Sequence, residues 1–337
     1  MQDIYNVDLD ELNEYFIKKN EKAYKTKQVY DWLYKKRVSS FKDMSNLKKE
    51  MIGSLETDFV FGDIEVIKKQ KGDNVYKYLF KLNDGEKIEA VVMFHDYGIS
   101  LCISTQVGCN MGCTFCESGR LKKVRNLTAG EMVLQILKVE SDIDKRISHI
   151  VLMGIGEPFD NYDNVMKFIK IVNNPFGIDI GARHITVSTS GVIPRIYDFA
   201  KSNLQVNLAI SLHAPNDEIR SIIMPLNKIY NIKELIKSVK EYIKITNRRI
   251  TFEYIMLDQI NDSKECALEL ASLLKGINCY VNLIAYNETQ NLGFKKSKKD
   301  TIKEFYDILK KNKINVTIRK EFGSEVDAAC GQLRSLN

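Results

Sequence analysis

From residue 96 onward, short apolar runs alternate with amphipathic helical segments, and this rhythm leaves few architectures open. The runs fall at 100–104, 149–153, 185–188, 206–212, 250–256, 280–284 and 316–318. A strand, a helix and another strand repeated in this way make right-handed crossovers and a parallel sheet. Seven such strands predict a parallel barrel or partial barrel, whose catalytic groups lie on the loops after the strand C-termini. Polar residues cluster at those places: Gly156 and Glu157 after one strand, Ser188, Thr189 and Ser190 after the next, then His213 and Asn287.

The chain before this region has a different period. Leu9, Leu12, Phe16 and Ile17 repeat at helical spacing, as do Val29, Trp32 and Leu33. Lysines at 18, 19, 22, 25, 27, 35 and 36 and Arg37 run between them, with Tyr24, Tyr30 and Tyr34 interleaved. A solvated helix face is the simpler reading, and a phosphate-contacting surface the sharper one. From Phe61 the period becomes two, and the turns at Gly72-Asp73-Asn74 and Asn83-Asp84-Gly85 predict a β meander. The chain is therefore expected to divide into an accessory region, 1–93, helical to about 60 and then β, and a catalytic core, 94–337. No run approaches eighteen uncharged apolar residues, and the start lacks a secretory pattern, so a cytoplasmic protein without membrane contact is expected. A net charge of +6 permits a polyanionic partner without requiring one.

Seven cysteines in such a chain favour metal or redox chemistry over a disulfide framework. Three of them form Cys109-Asn110-Met111-Gly112-Cys113-Thr114-Phe115-Cys116. A structural zinc site wants a fourth ligand and usually a second Cys-x₂-Cys knuckle, which this chain lacks. Three thiolates on one tight loop instead suit a [4Fe–4S] cluster with one open iron. With Phe115 just before the last cysteine, the pattern resembles the radical-SAM signature, in which that iron holds S-adenosylmethionine (SAM). The resemblance narrows through Ser104-Thr105-Gln106-Val107-Gly108-Cys109, Arg125-Asn126-Leu127-Thr128, Met153-Gly154-Ile155-Gly156-Glu157-Pro158, Ser211-Leu212-His213-Ala214-Pro215-Asn216-Asp217 and Asp327-Ala328-Ala329-Cys330-Gly331-Gln332-Leu333. In this order they resemble the radical-SAM RNA adenine methyltransferases of the RlmN/Cfr type, over nearly the whole chain.

That resemblance implies a partial (β/α)6 radical-SAM barrel with a helical and β-meander appendage. It implies methylation of an adenosine in large-subunit (23S) rRNA at C-2, with tRNA as a further substrate. Adenine C-2 is electron-poor and offers no nucleophile, so a radical route is needed. By the resemblance two SAM molecules are used per turnover: one methylates Cys330, and the other, cleaved at the cluster, gives the radical that activates that methyl group. Cys102 would then attack Cys330 to form a transient disulfide as the product leaves, and Glu89 would accept the proton. Cys109, Cys113 and Cys116 would hold the cluster. Gly156, Glu157, Ser188, Ser211, Leu212, His213 and Asn287 would line the SAM site. A reductant such as flavodoxin or ferredoxin and a monomeric state are also implied.

Without the resemblance, Cys102 reads as a core cysteine, Glu89 as a solvated carboxylate and His213 as a satisfied barrel-end histidine. Cys266 and Cys279 read as packing residues. Glu117-Ser118-Gly119 departs from the family's usual Ala-Thr-Gly and puts local charge near the cluster in question. Gly156-Glu157-Pro158 and His213-Ala214-Pro215 favour the C-2 branch. Ile318-Arg319-x-x-Phe322-Gly323 is closer to the antibiotic-resistance branch that methylates C-8. The rival classes are a non-catalytic iron–sulfur or zinc RNA-binding protein, and a radical-SAM enzyme that activates another protein.

Overall fold

The computed structural model describes residues 1–289 and 291–319. Cys330 and the segment around it lie outside the described residues. Three helices open the chain: α1 (Leu9–Lys18), α2 (Tyr24–Tyr30) and α3 (Lys49–Asp58). Among the described residues ten strands then form one sheet in sequential order. They are β1 (Glu65–Gly72), β2 (Val75–Lys81), β3 (Lys87–His95), β4 (Gly98–Cys102), β5 (His149–Leu152), β6 (Ile185–Thr189), β7 (Asn207–Ser211), β8 (Ile250–Met256), β9 (Cys279–Ala285) and β10 (Val316–Ile318). The first four pair antiparallel, and β4 to β10 run parallel. Helices follow the parallel strands β4 to β9: α4 (Ala129–Ile143), α5 (Tyr162–Asn173), α6 (Ile193–Lys201), α7 (Asp217–Ile223) with α8 (Ile232–Thr246), α9 (Lys264–Leu274) and α10 (Lys299–Lys311). Six βα units and a seventh strand thus make the expected partial barrel, and its edges, β1 and β10, do not pair with each other.

Local chemistry sets these elements. In α8, Ile232, Leu235, Ile236, Val239 and Tyr242 are buried at helical spacing. Asn231 caps its start by accepting from the Glu234 amide at 2.9 Å. Thr128 and Glu131 cap α4 reciprocally, each side chain taking the other's backbone N–H. The turn between β1 and β2 is only Asp73-Asn74, with Asn74 at φ +56°, the left-handed conformation that a tight hairpin demands. Strand β4 ends at Cys102, two residues before the apolar run does, because the amide and carbonyl of Ser104 bond instead to the Gln135 side chain, both at 3.0 Å.

The meander is part of the barrel wall. Val91 on β3 lies opposite Cys102 on β4, and one apolar core runs from Ile4 to Val316. This overturns one use of the basic N-terminal run. Tyr30 and Tyr34 are buried in that core, with Tyr30 donating to the Val7 carbonyl at 2.8 Å, and cannot stack on bases. Several of the cations already have partners: Lys19 pairs with Asp58 at 3.1 Å, and Arg37 with Glu140. Among the described residues no helix is long and apolar enough to cross a membrane.

Candidate active site

The loops after β4, β5, β6 and β7 meet at the C-terminal end of the barrel, and Ser104, Thr105 and Gln106 tie the first two together. The Ser104 hydroxyl donates to the Glu89 carbonyl at 2.6 Å and accepts from the Ile155 amide at 3.0 Å. Gln106 accepts from the Glu157 amide at 2.9 Å and donates to Asn126 and Asp160. Gly156, at φ +108°, passes so close to Gln106 that a Cβ would lie 2.6 Å from that side chain. Glycine is required there by backbone angle and by space alike.

On the adjoining loop, Cys109, Cys113 and Cys116 face a cavity of about 150 Å³. Gly108, at φ +73°, starts the loop against the Lys122 carbonyl, and Gly119 ends it against the Cys113 carbonyl. Phe115 is buried with its ring edge-on to His213, centroids 5.0 Å apart. Burial pushes the Cys109 thiol up to about 12 and Cys113 upward as well, and the neighbouring thiols add to both rises. Such crowded thiols ionise when a cation meets them. Among the described residues no group of His, Cys, Asp or Glu closes on a single metal ion. Three thiols on one cavity wall suit an iron–sulfur cluster.

Across the cavity the buried Glu157 carboxylate accepts from the Phe159 amide at 3.0 Å and from the Ser190 amide and hydroxyl, both at 2.8 Å. Burial raises its pKa, and the Ser190 bonds oppose that rise only in part. It is an acceptor for a cationic ligand group, such as the ammonium of an amino acid. His213, at φ +59°, takes the Ile255 amide on Nδ1 at 3.0 Å, which leaves its proton on Nε2. Burial, reinforced by the nearby Arg220, holds its pKa at about 3, so the ring is neutral. Arg220 is fully buried and ties the strand ends together, donating to the carbonyls of Leu212, Ser190 and Ser211 and to Asn227. Burial depresses its pKa to about 10.

The cavity brings together Cys109, Cys113, Cys116, Gly156, Glu157, Ser188, Ser211 and His213. Leu212 is buried behind it, supplying its carbonyl to Arg220, and Asn287 is buried after β9 away from its walls. Cys102 is also off the wall, packed with Val91, Ile155 and Met153, the last of which does line the cavity. Glu89 shares Cys102's face of the sheet and is not solvated: it is 2% exposed and ion-paired to the equally buried Lys77 at 2.9 Å. Glu117 is buried too, taking the Asn291 amide at 3.2 Å with Arg120 at 3.6 Å, so its added charge is answered locally. Sequence reasoning passed over Arg220, Lys77, Gln106 and Gln135. Only Gln106 carried a signal, as part of the segment leading into the cysteine loop.

Residues 103–271 match the radical SAM superfamily, and residues 2–60 match the N-terminal domain of ribosomal RNA large subunit methyltransferases. A protein of Listeria welshimeri named "Probable dual-specificity RNA methyltransferase RlmN" is 54% identical over 341 residues, spanning 98% of this chain and 93% of that one. A protein of the same name from Acholeplasma laidlawii is 50% identical over 99% of both chains. The crystal structure of a radical SAM methyltransferase from Sphaerobacter thermophilus superposes with a TM-score of 0.93 at 40% identity, covering all of both chains.

Proposed function

This chain belongs to the RlmN family of radical-SAM RNA methyltransferases, and from that premise we propose that it methylates adenine C-2 in large-subunit rRNA, with tRNA as a further substrate. One observation carries the reading most: three thiols and an enclosed carboxylate share one cavity at the catalytic end of the barrel. When bound, the cluster and SAM supply a methyl group and a 5′-deoxyadenosyl radical. Cys109, Cys113 and Cys116 hold the cluster. Glu157 accepts from the ammonium of SAM, and Ser188, Ser211, Leu212, His213 and Asn287 shape the rest of that site.

Cys330 carries the methyl group, and Cys102, beside the cavity, resolves the protein–RNA adduct by forming a disulfide with it. Thiolate attack along a sulfur axis needs the second cysteine within reach, and a position behind Met153 supports this. Glu89, ion-paired to Lys77, accepts the proton lost from the base. Residues 1–93 contact RNA and residues 94–337 carry the chemistry. The protein acts as a cytoplasmic monomer, with a flavodoxin or ferredoxin as electron donor. The test is methyl transfer from labelled SAM to RNA under anaerobic reducing conditions. Cys330→Ala retains the cluster and transfers no label, and Cys102→Ala accumulates a protein–RNA adduct. Full methylation by the Cys330 variant would refute the carrier role.

A further inference from the structure

The other end of the barrel holds a second cavity, of about 740 Å³, to which the reaction assigns no task. Barrel interiors are normally filled by branched apolar side chains. Here the inward positions near the strand N-termini are Thr186, Asn207, Thr251 and Asn282, and the chamber stays open. Its rim carries Arg183, Arg248 and Arg249, with Arg319 deeper, against one carboxylate among the described residues, that of Glu253. The rim arginines have neutral neighbours. Arg183 donates to Gln205 at 3.2 Å, Arg248 to Asn207 at 2.8 Å, and Arg249 lies 4.9 Å from the Tyr280 ring centroid. Among the described residues no carboxylate pairs with any of these three, and the buried Nε of Arg248 has no hydrogen-bond partner.

This chamber adjoins the cofactor cavity. Met153, Glu253 and Arg319 line both. The buried Glu253 takes the Asn282 amide on Oε1 at 2.9 Å, while Oε2 has no hydrogen-bond partner among the described residues and meets Arg319 only as an ion pair at 4.0 Å. A buried acceptor left open in this way is costly unless a ligand satisfies it.

We propose that this basic mouth is the port through which RNA delivers an extruded nucleotide, with the flanking phosphodiesters on Arg183, Arg248 and Arg249 and the base passing inward to Glu253. The inference rests on the RNA methyltransferase reading above. Guanidinium forks match phosphate oxygens bidentately, and an enzyme acting on a base carbon must take that base out of its stack. The open carboxylate oxygen of Glu253 accepts a hydrogen bond from an exocyclic amine, which adenine carries and uracil does not.

The test is the affinity of the full chain for a fluorescent RNA hairpin, measured by anisotropy across a salt series, for wild type and Arg183→Gln/Arg249→Gln. Both side chains are exposed, and thermal unfolding verifies that the variant folds. The variant binds about tenfold more weakly, and its slope of log affinity against log salt falls by about one to two, the number of phosphate contacts removed. An unchanged affinity and slope would overturn the port. So would saturable binding of inorganic phosphate at the mouth with RNA affinity intact, which would assign the chamber to a free anion. A wild-type protein that transfers no methyl group to RNA would instead refute the underlying reading.

Discussion

A carboxylate enclosed like Glu157 is held ready by Ser190, whose amide and hydroxyl converge on one oxygen. Glu157→Gln keeps the shape and removes the charge that a ligand ammonium would meet. One charge-assisted hydrogen bond of this kind contributes about 1.5–3 kcal/mol, so SAM affinity measured by equilibrium dialysis falls by about ten- to a hundredfold. Unchanged affinity would remove Glu157 from the SAM site. His213 gives a prediction in pH. Its folded pKa of about 3 lies below the ordinary 6.5, so on acidification the unfolded chain takes up the proton first. The stability this neutral ring contributes is whole above pH 6.5 and is lost progressively as pH falls toward about 3. Asparagine tolerates the same left-handed backbone without titrating. Urea unfolding of wild type and His213→Asn at pH 6.5 and 5.5 therefore shows the wild type losing about 1 kcal/mol more. Parallel losses would mean that the ring already titrates in the folded protein.

Among the elements, β2 and β3 carry the least expected interaction. Lys77 and Glu89 are buried on the lumen side of the sheet and pair across it. Removing one partner strands a charge, and Lys77→Met lowers unfolding stability by about 3–5 kcal/mol. Lys77→Met/Glu89→Leu recovers most of that loss in the same denaturant titration. A double variant as unstable as the single one would mean that the pair is not what the two residues contribute. This pair also marks where sequence reading stops. Val-Tyr-Lys-Tyr-Leu-Phe-Lys reads as a strand whose lysines face water, and period two cannot tell a polar lumen from solvent. Arg220 was hidden for the same reason, since its acceptors are carbonyls brought together only by the barrel. All seven parallel strands were legible as apolar runs, and the cysteine loop as a spacing. The extent of β4 was not, because Gln135, thirty-one positions after Ser104, decides where it ends.

Among the described residues one sheet runs from the meander to β10 without pairing its edges, and two adjoining cavities lie along its lumen. The thiols and Glu157 occupy the C-terminal end, and the arginines the other. Cys102 and Glu89, supplied by strands that adjoin across the meander–barrel junction, face the interior between them. That continuity brings Glu89 and Cys102, on either side of residue 93, to one face of the same sheet. The account is tested most directly by anaerobic reconstitution with iron and sulfide, reaction with SAM, a reductant and an rRNA fragment, and mass spectrometry of the digested nucleosides. The result predicted is 2-methyladenosine. Recovery of 8-methyladenosine would contradict the position assigned, and unmodified adenosine from a protein that cleaves SAM would contradict the substrate.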